Sequence, residues 1–151
     1  MLTIEDILTH IPHQGKSCLL DRCDAWTADT LTAQTSAHLR ADNPLRYQDK
    51  LGVIVGAEMA MQAAALHGAL TGDQDAKTGG YLASLRDLVV TCDRLDRADY
   101  GVLNIFVRRE QHDLAGMVYR FSVSTQQGAS LLKGRGMVMF RARTPVDVAS
   151  A

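Results

Sequence analysis

The 151-residue sequence predicts an α+β fold in which an antiparallel sheet curls round one long buried helix. Residues 51–70, LGVIVGAEMAMQAAALHGAL, form the one long helical segment, and Glu58, Gln62 and His67 are its only polar side chains. A helix that is hydrophobic all round is buried on all sides, so the rest of the chain must wrap it. The last third alternates with period two, most clearly where Met117, Tyr119, Phe121 and Val123 are interleaved with Arg120, Ser122 and Ser124. That is the pattern of strands with one buried and one wet face. Proline occurs only at 12, 44 and 145, outside every predicted strand.

Length and composition point to one domain over 1–151, with a formal net charge of −1 and acids and bases mixed along the chain. No basic tract argues for nucleic acid and no block of charge for a disordered tail. The long helix is tested as a membrane span and rejected, because a charge such as Glu58 at membrane depth costs at least ~2.5 kcal/mol. Cys18, Cys23 and Cys92 lack metal-type spacing and read as reduced thiols. The N-terminus carries an acidic pair where an export signal would be positive, so a cytosolic location is expected.

Each element has a local cause. Thr3 can cap a short helix whose first turn holds Glu5 and Asp6 and whose apolar stripe is Ile4, Ile7 and Leu8; Pro12 stops it. His10 and His13 have the spacing of a ligand pair but no further ligand beside them, so an ordered loop is the better reading and no metal is expected. CLLDRCDAW and LTAQTSAHL, joined by the polar TADT, read as a hairpin. RADNPLRYQDK, residues 40–50, is a polar loop into the long helix. After TGDQDAKTGG come the strands YLASLRDLVV, VLNIFVRRE, MVYRFSVS and SLLKGRGMVMFRAR. In the last of these Leu132, Gly134, Gly136 and Val138 share a face, and paired glycines predict a close approach, with the long helix as the leading candidate.

Two stretches carry a family likeness that covers almost the whole chain. The first is Ile11-Pro12-His13-Gln14-Gly15 running into Leu19-Leu20-Asp21-Arg22; the second is Asn43-Pro44-Leu45-Arg46 followed by Gly56-Ala57-Glu58-Met59-Ala60-Met61-Gln62. In their order and separation they resemble the hot-dog fold 3-hydroxyacyl-[acyl-carrier-protein] dehydratases, and most of all the divergent relatives from aryl-polyene biosynthesis. The resemblance implies a dimer of like or unlike hot-dog subunits with shared active sites. It also implies an acyl group delivered by acyl carrier protein or coenzyme A, in fatty-acid or polyene-type synthesis.

Elimination of water from a 3-hydroxyacyl thioester needs a base for the C2 proton, an acid for the departing hydroxyl and donors for charge on the thioester oxygen, with no cofactor. Glu58 is the expected acid: apolar surroundings disfavour its charge and the helix N-terminus favours it. The Gly56 N–H is the expected donor to the thioester oxygen, and Gln62, one turn on, is expected to hold the carboxyl. The family's histidine sits in a His-Phe-Pro-type motif before the helix, where this chain has Asn43-Pro44-Leu45. His38 is therefore the first candidate base and His13 the second; Asn43 joins the substrate-binding set. His67 reads as a polar helix end. Arg40, Arg46 and Arg86 are candidate contacts for a pantetheine phosphate or an acidic carrier, against the ordinary reading as solvated surface. Two rival functions follow from the same fold: a thioesterase, and a non-catalytic subunit that completes a dehydratase partner.

Overall fold

The computed structural model describes residues 1–72 and 80–140. In chain order the elements are α1 (Ile4–Leu8), β1 (Arg22–Trp26), β2 (Thr30–Thr35), α2 (Val55–Leu70), β3 (Gly80–Val90), β4 (Leu103–His112), β5 (Gly116–Ser124) and β6 (Ser130–Phe140). The strands form one sheet in the order β1-β2-β4-β5-β6-β3, antiparallel at every pairing. α2 packs on β2, β4, β5 and β6, so the sheet wraps it as the sequence predicts. This is the hot-dog arrangement. Among the described residues no helix is long and apolar enough to cross a membrane.

The alternation of β5 sets the core. Met117, Tyr119, Phe121 and Val123 are buried and meet Leu103, Ile105 and Val107 of β4 under Met59 and Leu66 of α2. Small residues on α2 let the helix lie close to the sheet. A side chain at Gly56 would come within 3.1 Å of Leu132, and one at Gly136 within 2.5 Å of the Met61 sulfur. Gly136 thus accommodates the helix, as the paired glycines suggest. Gly134 does not: it makes room for Leu88 of β3, whose methyl would lie 2.7 Å from an added Cβ.

α1 carries the capping box expected of Thr3, with Asp6 as the reciprocal partner. α2 begins at Val55, four residues later than its apolar run. Residues 51–54 are held instead by the loop before β4. Leu95 N–H donates to Leu51 O at 2.7 Å, Val53 N–H to Asp93 O at 3.2 Å, and Leu51 N–H to the Asp96 carboxylate at 3.1 Å. Arg94 pairs with Asp96 and holds its carboxyl well below the usual range. Residues 73–79 of the connection after α2 lie outside the described residues.

Candidate active site

α2 is buried or half-buried along its length except at one side chain. Of residues 55–70 only Glu58 is exposed, while Gln62, Leu66 and His67 further along are buried and Ala65 and Ala69 half-buried. The expectation of a buried acid is therefore corrected. Glu58 stands in the first turn of the helix, where the dipole favours a carboxylate, and faces out of the one strip that the sheet leaves open.

The loop from His13 to Leu19 lies along that strip. Gly15 turns it, at a φ of 58° that a side chain would strain. Gln14 donates to Leu8 O at 2.8 Å, and Arg40 reaches in to Lys16 O and Cys18 O at 3.2 and 3.3 Å. Gln62 makes the direct tie to α2: its carbonyl oxygen accepts Leu19 N–H at 2.7 Å, and its amide donates to Ser17 O at 2.9 Å. So Gln62 does not hold Glu58, as its spacing suggests, but holds the loop beside it.

His13 sits at the head of this loop, half-buried, with Nδ1 buried and unpartnered among the described residues. Burial lowers its pKa, and the Glu58 carboxylate acts in the opposite sense, so the two groups lie within each other's field. Of the two candidate bases it is His13, the second, that lies in the field of Glu58.

The first candidate is elsewhere. His38 lies in a short 3-10 turn after β2, fully buried, and neither ring nitrogen makes a well-formed hydrogen bond; the Gly101 backbone offers only a weak one. Burial depresses its pKa, and the carboxylates that partly restore it are Asp21 and Asp96, not Glu58. Asn43 belongs to the same cluster. Its amide donates to Ala37 O at 2.8 Å and its oxygen accepts Leu45 N–H at 2.9 Å, so it fixes the turn that carries His38. Gly56 is corrected as well. Its N–H donates to Val53 O at 2.9 Å in the tight turn that opens the helix, and the residue is buried under Leu132, Val123 and Leu95. Arg40 and Arg46 are likewise engaged, Arg46 donating to Asp49 O at 2.9 Å; Arg86 stays on the surface.

His67 is at the helix end, as its position suggests, but is a fully buried link there: Nε2–H donates to Thr27 O at 2.9 Å, which leaves Nδ1 to accept the Tyr119 hydroxyl at 2.7 Å. It ties the far end of α2 to the β1–β2 turn. Only the inward phase of Tyr119, a phenol that needs a buried partner, signals this in the sequence.

A carboxyl and an imidazole within each other's field suit proton transfer. Comparison with known proteins decides the family. The model of the family described as ApeP-like, ApeP dehydratase, matches residues 5–146. The chain belongs to the ApeP-like dehydratase family. Its fold is that of one chain of the dehydratase heterocomplex ApeI:P from Xenorhabdus doucetiae, with a TM-score of 0.77 over 95% of both chains at 17% identity. It is also similar to the HP0420 homologue from Helicobacter felis, with a TM-score of 0.61, 10% identity and 97% and 92% of the two chains covered. A hypothetical thioesterase with coenzyme A from Streptococcus pneumoniae gives a TM-score of 0.56 at 14% identity over 81% and 89%. No curated protein sequence matches the chain. As an ApeP-like dehydratase it is a hot-dog protein of the aryl-polyene type, and the two sequence stretches that suggested this lie side by side, one on the His13 loop and one on α2.

Proposed function

We propose that this chain takes part in dehydration of 3-hydroxyacyl thioesters, with Glu58 as acid and His13 as base. The acyl group is carried by acyl carrier protein or coenzyme A in the cytosol. The observation that carries the reading is the one exposed side chain of α2, a carboxyl whose field reaches the His13 imidazole, itself with Nδ1 buried and unpartnered among the described residues. Neutral His13 takes the C2 proton, the C3–O bond breaks, the proton of Glu58 leaves with the hydroxyl as water, and the C2–C3 double bond remains. An exposed carboxyl needs cover from water to act on a bound thioester.

A second hot-dog subunit supplies the cover. The strip around Glu58 is left open by this chain's own sheet, and the exposed Ile54 stands one turn before it. Leu88 and Val90 are exposed on the edge strand β3. An exposed edge with apolar side chains calls for a partner strand. Joining β3 to another sheet would bury that edge, and a like or an unlike subunit serves equally.

The non-catalytic subunit is the second reading, favoured by one observation: the position of the family's His-Phe-Pro motif is held by Asn43, whose amide bonds the backbone at both ends. Formation of the enoyl thioester by the purified chain, and by its mixture with a co-encoded hot-dog subunit, separates the two. Activity of the chain alone that His13→Ala removes and His38→Ala keeps supports the first reading. Activity found only in the mixture and insensitive to His13→Ala supports the second. Release of free thiol without enoyl product would select a thioesterase in place of both.

A further inference from the structure

On the outer face of the sheet, away from α2, four arginines stand in one row across four strands. Arg86 of β3 is paired in register with Arg135 of β6, Arg135 with Arg120 of β5, and Arg120 with Arg108 of β4. Like charges directly opposite one another destabilise a sheet, so stability alone does not account for the row. Acidic neighbours neutralise part of it. Glu110 reaches Arg135 at 2.9 Å and Arg120 at 3.4 Å, and Asp87 reaches Arg135 at 3.4 Å. Arg86 and Arg108 have no carboxylate within ion-pair distance among the described residues. The adjacent row is Val89, Lys133, Ser122 and Phe106, and it adds a further cation and two apolar groups. Between the rows lies a hollow of about 390 Å³.

We propose that this face is a docking surface for an acidic α-helix of a protein partner. Strand spacing repeats the arginines every ~4.8 Å over about 14 Å. A helix crossing the strands presents one carboxylate per turn at 5.4 Å. Each turn then sets an acid near an arginine, while an apolar residue at i+3 or i+4 drops into the hollow beside Phe106 and Val89. A second copy of the same face does not fit, because it would set arginine against arginine. A nucleic acid is the poorer match, because the chain as a whole carries a net charge of −1. The surface lies apart from Glu58 and does not depend on the reaction proposed for it.

The test uses the full chain and three probes: a helical peptide with Glu once per turn and Leu on the adjoining stripe, the same composition scrambled to lose the stripe, and a 20-base-pair DNA duplex. The helical peptide is expected to bind at least ten times more tightly than either control, and more weakly as salt rises. R108E/R120E is expected to lower that affinity at least tenfold. R86Q/R108Q, which removes only surface arginines with no carboxylate partner among the described residues, is expected to lower it at least threefold while melting no lower than wild type. Equal binding of the scrambled peptide or the duplex, or affinity for the helical peptide within twofold of wild type in both variants, overturns the proposal.

Discussion

Gln62 on α2 accepts the backbone N–H of Leu19 at 2.7 Å, and this bond sets how far the loop that carries His13 stands from the helix that carries Glu58. Replacing Gln62 with Ala leaves a buried N–H and the Ser17 carbonyl without partners, at a cost of about 2 kcal/mol. The urea midpoint of Gln62→Ala is expected to fall accordingly. Its dehydration rate is expected to fall further than that of any variant of equal stability made at the far end of the helix.

One such far-end variant is Tyr119→Phe. It removes the donor to His67 Nδ1 while keeping the aromatic ring, and leaves a buried acceptor unpaired. A loss of about 1–2 kcal/mol is expected from denaturant unfolding, with dehydration kinetics unchanged once the protein is folded.

Burial depresses the pKa values of His13, His38 and His67 below the ordinary 6.5. A depressed histidine is neutral in the folded chain where the unfolded chain already binds a proton. Stability is therefore complete above about pH 7, falls as pH drops through the unfolded value of 6.5, and levels off only below the folded values. Unfolding free energies measured from pH 7.5 to 5 are expected to decline steadily.

His38 makes a sharper case, being fully buried with no good hydrogen bond. His38→Leu removes a polar ring from an apolar site at similar volume. It is expected to be neutral or stabilising, to flatten the acid loss of stability, and to keep dehydration activity. Activity lost in a stable His38→Leu protein would return His38 to the reaction.

The fold was legible because its two signals are local and strong: an apolar run too long for a surface helix, and period-two alternation that Met117, Tyr119, Phe121 and Val123 bear out by their burial. Glu58 was legible as the odd carboxyl in that run, but not its exposure. Periodicity shows that a helix is apolar all round, and cannot show that one strip is left open by its own sheet. The partners were less legible still. His38 is near Glu58 in sequence and His13 is not, yet a loop pinned by Gln62, 43 positions from Leu19, brings His13 to the helix. Gly56 misled for a related reason. A helix N-terminus offers free N–H groups only if the turn before it leaves them free, and here Val53 O takes that of Gly56.

The account turns on Glu58. The direct measurement is the steady-state rate of enoyl-thioester formation by Glu58→Gln, in whichever assembly is active with the wild-type chain, alone or mixed with a co-encoded subunit. Removal of a general acid is expected to lower the rate at least ~100-fold. The exposed position predicts an unchanged unfolding midpoint. A folded Glu58→Gln protein that dehydrates within twofold of the wild-type rate would contradict the account.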